Sequence, residues 1–395
     1  TIAVTARPDP SLDPSVRALS DAQAESTRLF AQAQSNNFLQ RAEQLHNGGG
    51  SARPHMGISL GLMDMNRAGG PDYSAAGRRE MQDVSDRARG VPGPGMAGAG
   101  SKRSPGPVKS AMSDDGGDRP IGSVAIWSGG QIEIGTRDQT TDRDKISLTT
   151  GGLSAGADIK LSEAASVGLG GGIGFDDSKI GGQAASVHGD SQVLAAYGSV
   201  TPITGMFVDV VTGYGNLDFK TRRAIGSALA LGSRGGTMWF GAASTGVDRT
   251  DGGVRWSLYG RGEWLDGTLG AYTEHGAGLM DLRFDQRDVN SLTGVLGGRF
   301  ELNEPLEIGS FRPRVRLEWS HEFQDSSIQM LDYADITGDA FYGIRTEGWN
   351  RDQYEVAFGG GLYTLSRWVV DLEIGMRTSS GERDGRLTLK LSKDF

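Results

Sequence analysis

Residues 311–323 read FRPRVRLEWSHEF, and this stretch decides the fold. Its odd positions are almost all apolar, with Val315, Leu317 and Trp319 at the centre. Its even positions carry five charged side chains, at Arg312, Arg314, Arg316, Glu318 and Glu322. Because a β-strand sends alternate side chains to opposite faces of its sheet, one face here suits lipid and the other suits water. A closed barrel with a polar interior accommodates both faces.

The same alternation recurs from residue 121 to the end of the chain. It is clear in residues 254–264, 292–302 and 368–377, where apolar side chains share one face and charged ones the other. Further candidate strands are about 123–135, 146–161, 165–175, 190–200, 205–218, 236–249, 354–364 and 385–395. We therefore expect an all-β membrane protein with roughly 12 antiparallel transmembrane strands, since single-chain bacterial barrels have an even number.

A soluble β-sandwich or solenoid is the alternative fold, with the charged faces in bulk water. Alternation alone permits it. It does not explain the long semi-polar helix predicted ahead of the strands, or an aromatic residue at the very end of the last strand.

Composition excludes several function classes. The chain has 395 residues, a formal net charge of -9 and no cysteine. The absence of cysteine excludes thiolate metal sites, disulfides and cysteine catalysis, and the negative charge argues against a nucleic-acid partner. No run of about 18 apolar residues occurs, so a transmembrane helix is not expected. We expect no cofactor and no metal site, because the five histidines are scattered and no nucleotide-binding motif is present.

Residues 13–46 predict one long helix. Asp13 is a capping residue, Pro14 occupies the first helical position, and no further Gly or Pro interrupts the stretch. At 1.5 Å per residue the helix would be about 50 Å long, which exceeds the thickness of a bilayer core. Its large apolar residues are too few for a core helix, so a polar tunnel suits it. Within strand 165–175, one face is formed by Ser166 and by glycines at 168, 170, 172 and 174, which leaves room for this helix inside the barrel.

Residues 1–12 and 47–120 are not expected to belong to the barrel. The chain opens TIAVTA without a methionine, so we expect a longer parent protein, and these six residues resemble the last strand of an immunoglobulin-like repeat. Residues 47–120 are rich in Gly and Pro and are predicted to be a flexible linker, because they bury too little apolar area to offset chain entropy.

The chain ends GRLTLKLSKDF, which resembles the C-terminal assembly signal of outer-membrane barrels. The residues of this signal are Leu387, Leu389, Leu391 and the terminal Phe395. Lys393 departs from the usual pattern at a position where an apolar residue is common, although lysine near a membrane rim can extend to the headgroups.

Taken together, these segments resemble the autotransporter, or type V secretion, family. STRLFAQAQSNNFLQRAEQLH is similar to the family's linker helix. Trp127-Ser128-Gly129-Gly130 is similar to its first strand, and Gly156-Ala157-Asp158 to its second. Tyr354–Leu362 and the terminal Phe395 are similar to its last strands. The long 47–120 linker and the near absence of a passenger depart from the family pattern.

The resemblance implies a twelve-stranded barrel with an N-terminal helix in its pore, residing in the outer membrane of a Gram-negative bacterium. It also implies that the barrel carries an N-terminal passenger to the cell surface. The expected partners are outer-membrane lipid, the barrel-assembly machinery and the protein's own passenger, with the barrel as a monomer and no enzyme activity. A passive diffusion pore, with the helix and linker in the periplasm, is the alternative function.

Eleven charged residues on the predicted water-facing sides of the strands are candidates for contact with the helix. They are Arg255, Arg261, Glu263, Arg299, Arg312, Arg314, Arg316, Glu318, Asp371, Glu373 and Arg377. The alternative is that they only solvate a wet interior and pair among themselves, as lumen charges do in many barrels.

Asn36 and Asn37 form a possible self-cleavage site within the helix. Some autotransporters cleave themselves between two asparagines inside the barrel by attack of a side chain on the adjacent peptide bond, which needs nearby carboxylates to move protons. The alternative is two polar residues that face a wet lumen.

Overall fold

The computed structural model describes residues 7–46, 121–251, 253–345, 350–365 and 368–393. The first described element is a short 3-10 helix at Pro10–Leu12, and it leads into helix α1, Pro14–His46. Asp13 caps α1, because its carboxylate accepts hydrogen bonds from the Ser15 amide and the Ser15 hydroxyl, each at 2.8 Å. No helix in the described part of the chain is both long and apolar enough to cross a bilayer.

Seventeen strands follow within the described ranges, five of them short. They are β1 Val124–Arg137, β2 Ile146–Ser162, β3 Ala165–Ile180, β4 Ala185–Val200, β5 Met206–Ile225, β6 Ala228–Asp251, β7 Val254–Leu269, β8 Tyr272–Thr273, β9 Leu282–Phe284, β10 Arg287–Leu302, β11 Glu304–Leu306, β12 Gly309–Glu322, β13 Ile328–Tyr333, β14 Tyr342–Arg345, β15 Asp352–Thr364, β16 Trp368–Ser379 and β17 Glu382–Lys393.

Twelve strands form a closed antiparallel barrel: β1 to β7, β10, β12 and β15 to β17. Each pairs with the next along the chain, and β1 pairs with β17 to close the cylinder. The predicted twelve-stranded barrel is confirmed. Closure leaves no unpaired sheet edge, which is the condition for a β-structure to lie in lipid.

The alternation of β12 matches its prediction. Leu317 and Trp319 lie on the outside, with 47% and 37% of their surface exposed, while Arg316 on the opposite face is buried inside. Across the strand pair, Leu317 lies opposite Val356 and Trp319 opposite Tyr354, and both partners are also exposed. Comparable apolar residues cover the outside of the other strands, which gives the barrel a lipid-facing band.

The two ends of the barrel differ in their connections. At one end, which we call the short-turn end, strands are joined by turns such as 163–164 and 201–205. At the other, the long-loop end, segments 270–286 and 323–351 contain the strands β8, β9, β13 and β14. These four short strands pair in the order β14-β13-β9-β8 into a separate sheet, which we call the cap sheet.

Helix α1 lies inside the barrel, as predicted. Side chains are buried on every side of it, including Phe30 and Phe38 as well as the polar Gln34 and Arg41. Its N-terminal end is at the long-loop end, where the Asp144 amide donates to the Pro14 carbonyl. Its C-terminal His46 is at the short-turn end, beside Phe207 of β5. The helix therefore passes through the whole lumen.

Candidate functional site: the helix-filled lumen

Three glycines of β3 form the surface on which the middle of the helix rests. Phe30, Gln34 and Phe38 are four residues apart and lie on one face of α1. They lie over Gly174, Gly172 and Gly170, which alternate along the inner face of β3. A methyl group on Gly170 would be 2.7 Å from the Phe38 ring, and one on Gly174 would be 2.8 Å from the Phe30 ring. We call Gly170, Gly172 and Gly174 the glycine seat. The prediction that this face makes room for the helix is confirmed.

The Phe38 ring enters an aromatic pocket of the barrel wall. Its centroid lies 5.3 Å from Trp127, in an edge-on arrangement, and 5.6 Å from Tyr197. The Trp127 indole N–H donates to the Tyr197 hydroxyl at 2.5 Å, and that hydroxyl donates to Asp158 at 3.2 Å. These hydrogen bonds satisfy the polar atoms of both rings and hold them in place around Phe38.

Polar side chains bind the helix to the same wall. Arg41 on α1 donates to Asp158 at 2.7 Å, and both side chains are almost fully buried. The Ser26 hydroxyl donates to the Asp176 carboxylate at 2.7 Å. The Asn37 amide donates to the Ser154 hydroxyl at 2.8 Å. Because a buried polar group is costly unless it is paired, each contact favours one position of the helix over its neighbours.

Arginines of the barrel hold the half of α1 nearest the long-loop end. Glu25 pairs with Arg28 of the same helix, at 2.5 Å, and with Arg137 of β1. Arg137 also pairs with Asp384 at 2.6 Å. Arg287 donates to the hydroxyl of Ser20 at 2.8 Å and to its carbonyl at 3.1 Å.

The other end of the helix is held by acidic and aromatic residues. The His46 ring stacks on Phe207 with centroids 4.0 Å apart and planes 5° from parallel. Its Nδ1 lies 3.0 Å from Asp209, and its Nε2 lies 3.6 Å from Asp248. One turn earlier, Glu43 pairs with Arg299 and with Arg316.

The cap sheet holds the chain just before the helix begins. The Tyr333 hydroxyl donates to the Pro8 carbonyl at 2.6 Å. The Arg7 guanidinium lies 4.2 Å from the centre of the Tyr333 ring and pairs with Asp335 at 2.6 Å. The hydrogen bond from Arg7 lowers the pKa of Asp335 below the ordinary value of an aspartate. The segment entering the helix is therefore fastened to the long loops.

Comparison with known proteins agrees with this architecture. A sequence model of the family described as Autotransporter beta-domain matches residues 126–375. This chain belongs to the autotransporter β-domain family.

A solved autotransporter structure shares its fold. The translocator domain of NalP from Neisseria meningitidis is 15% identical in sequence and superposes with a TM-score of 0.56, over 81% of this chain and 97% of that domain. The transport unit of AIDA-I from Escherichia coli is 13% identical with a TM-score of 0.48, over 72% of this chain and 94% of that one. No curated protein has significant sequence similarity to this chain. The family assignment and the fold place this autotransporter barrel in the outer membrane.

The autotransporter barrel brings ten of the eleven predicted lumen charges into its interior. Arg299 and Arg316 pair with Glu43 of the helix, and Arg377 donates to Gln32 at 3.2 Å. The others have partners in the wall. Arg261 pairs with Glu263 and Glu318, Arg314 with Asp371 and Glu373, and Arg255 with Asp248. Arg312 instead donates to Asn303 at an exposed position near the short-turn end. The contact role of the eleven residues stays a prediction.

Several helix contacts were not predicted from the sequence. Arg137, Asp158, Asp176 and Arg287 all lie on the inner faces of strands, at positions that alternation marks as water-facing. Alternation could therefore have identified Asp158, which lies within the predicted strand 146–161, whereas Arg137, Asp176 and Arg287 lie beyond the predicted strand ends. The charged residues of the helix itself, Glu25 and Arg41 among them, gave no comparable signal, because a helix inside a polar lumen has no single water-facing side.

The predicted assembly signal is described only in part. Leu387 and Leu389 are on the lipid-facing side of β17, with 45% and 55% of their surface exposed. The side chain of Leu391 and the whole of Phe395 lie outside the described residues. The role of all four stays a prediction.

The asparagine pair lies in the second half of the helix, inside the lumen. Asn37 faces β2 through Ser154, while Asn36 lines a cavity on another side of the helix. Self-cleavage between them stays a prediction.

Proposed function

We propose that this autotransporter barrel exports an N-terminal passenger and displays it at the cell surface. One observation carries the proposal: helix α1 fills the lumen, with residue 7 fastened to the cap sheet at the long-loop end and His46 held at the short-turn end. In bacterial outer-membrane barrels the long loops are extracellular and the turns periplasmic. Any segment that precedes residue 7 would therefore leave on the outer side.

A passive diffusion pore gains no support from this arrangement. That alternative required the helix in the periplasm, whereas α1 occupies the channel that a solute would need. The glycine seat and the buried Arg41–Asp158 pair are specific to the helix, and a pore would have no use for them.

The contacts also suggest how export would end. The helix enters the lumen last, and its seat, aromatic pocket and ion pairs would stop it there as an anchor for the displayed segment. In this proposal the barrel-assembly machinery inserts the barrel as a monomer, reading the strand that includes Leu387 and Leu389.

Two epitope tags would test the direction of threading. One is placed ahead of Thr1, and the matched control is inserted within residues 47–120, which follow the C-terminal end of the helix. Antibody added to intact cells should bind the first tag and not the second, and both tags should bind antibody after the outer membrane is permeabilised. Binding of the second tag alone on intact cells would contradict the proposal, because the helix would then run in the opposite direction.

A further inference from the structure

We propose that the moving part of the passenger slides along one particular side of the lumen, the inner face of β7, β10, β12, β15, β16 and β17, which we call the charged wall. This inference rests on the proposed function and adds to it the surface that the passenger contacts. The partner is an extended polypeptide, and the helix lies on the other side of the lumen.

The helix lies off-centre in the lumen. The barrel backbone comes close to the helix at the glycine seat on β3. Aromatic packing joins Phe38 to Trp127 and Tyr197, on β1 and β4, and Phe30 packs against Phe219 on β5 at 6.3 Å. The helix is thus pressed against β1 to β5, and the charged wall reaches it through long side chains such as Arg316 and Arg377.

Two cavities between the helix and the barrel border the charged wall. A vestibule of about 670 Å³ opens at the long-loop end, between Asp21 and Glu25 on the helix and Arg137, Asn290 and Glu382 on the barrel. A second, much smaller cavity of about 40 Å³ lies toward the short-turn end, between the helix and the charged wall. Its lining includes Asn36, Glu43, Tyr259, Arg299, Glu318 and Arg386. Both cavities lie away from the glycine seat and border strands of the charged wall, so a chain that threads beside the helix would widen the lumen on this side.

Many charged side chains of the charged wall form ion pairs with one another. Arg314 pairs with Asp371 at 2.9 Å and Glu373 at 3.0 Å, Arg261 pairs with Glu318 at 3.0 Å, and Arg386 pairs with Glu355. Because the charges satisfy one another, a passing chain meets neither a bare charge nor an apolar surface to which it would adhere. Arginine and glutamate side chains are also long and flexible, so they can fold toward the wall and widen the path.

The opposite wall is built differently where it meets the helix. The glycine seat and the aromatic pocket are rigid and shaped to Phe30 and Phe38, and a chain of arbitrary sequence would not fit them. In this proposal, one side of the lumen holds helix α1 in place, and the other side lets the passenger move past it.

The test is a photo-crosslinking experiment on a stalled passenger. A reporter domain closed by a disulfide is fused ahead of Thr1, behind a signal peptide and with an unstructured spacer between reporter and Thr1. Until the disulfide is reduced, the reporter stays in the periplasm and the spacer lies in the lumen. The photoreactive phenylalanine analogue p-benzoylphenylalanine (Bpa) is placed by Tyr259→Bpa on the charged wall and, as the matched control, by Phe219→Bpa beside Phe30. Both positions carry aromatic rings inside the lumen: Phe219 is fully buried and Tyr259 is half-buried.

Irradiation of the Tyr259→Bpa variant should join the barrel to the spacer, seen as a gel shift by the spacer's mass and as spacer peptides in the adduct. The Phe219→Bpa variant should crosslink to helix α1 and lose the spacer adduct. Equal spacer adducts at both positions, or none at Tyr259 while the reporter is stalled, would overturn the inference. An unmodified fusion that is not exported after reduction would instead count against the proposed function.

Cysteine crosslinking provides a second test in case a Bpa variant does not fold. Because the chain has no cysteine, Tyr259→Cys and Phe219→Cys each introduce a unique thiol into the barrel. A bifunctional thiol reagent should then join the thiol at position 259, and not the one at position 219, to a cysteine in the stalled spacer. A preference for the thiol at position 219 would overturn the inference.

Discussion

The two sides of the lumen solve different problems with different residues. On the β1 to β5 side, glycines, aromatic rings and a few fully buried polar pairs fit one helix in one position. On the side formed by β7, β10, β12 and β15 to β17, arginines and carboxylates pair mainly with one another. The two sides therefore differ in whether their polar groups are satisfied mainly by the helix or mainly by one another.

The largest difference between the sides should appear when one buried arginine is removed from each. Arg41→Met removes one partner of the fully buried Arg41–Asp158 pair, a change that typically costs about 3–5 kcal/mol. Arg261→Met on the charged wall should cost less, because Glu318 keeps its contacts with Arg316 and Tyr259. The measurement is the temperature at which each barrel loses its compact form on a heated gel. An equal drop for both variants would remove the distinction.

A middle-sized effect is expected from filling the glycine seat. Gly170→Leu would collide with Phe38 and should weaken helix docking by about 1–3 kcal/mol, as overpacking usually does. Gly171→Leu is the matched control, because that position is on the lipid-facing side of β3. Single-channel recordings should show larger or more frequent openings for Gly170→Leu than for Gly171→Leu. If the two variants conduct alike, the seat is not what holds the helix.

The smallest effect concerns the cap sheet and pH. Because Arg7 lowers the pKa of Asp335, the ion pair stabilises the fastened segment at neutral pH and is lost as the pH falls through that lowered pKa. A spin label at Pro8→Cys should therefore become more mobile on acidification to pH values below the ordinary aspartate pKa of about 4. In Asp335→Asn the label should already be mobile at neutral pH, with a smaller response to acid. Since the pair is exposed to solvent, we expect only a modest change.

The barrel could be predicted from the sequence because alternation acts locally. In β12 each residue's face follows from its position in a run, so Leu317 and Arg316 could be assigned without knowing any partner. Gly170, Gly172 and Gly174 were assigned to the lumen by the same argument, and their empty face predicted a close neighbour.

The cap sheet and the choice of ion-pair partners could not be predicted in this way. The strands β8, β9 and β14 have two to four residues, too few for a period of two to be recognised. The partnership of Glu25 with Arg137 spans 112 residues and depends on how the helix is rotated in the pore. A strand pattern tells which face a charge is on and leaves its partner undetermined.

Phe30, Gln34 and Phe38 are spaced four residues apart and lie over alternate glycines of β3. This spacing fixes the position of the helix along the barrel axis. A helix shifted by one turn would bring Gln34 to the aromatic pocket and remove a large ring from contact with Trp127 and Tyr197. The seat therefore fixes which residue of the helix stands at the long-loop end and, under the proposed function, how far the exported segment reaches from the cell.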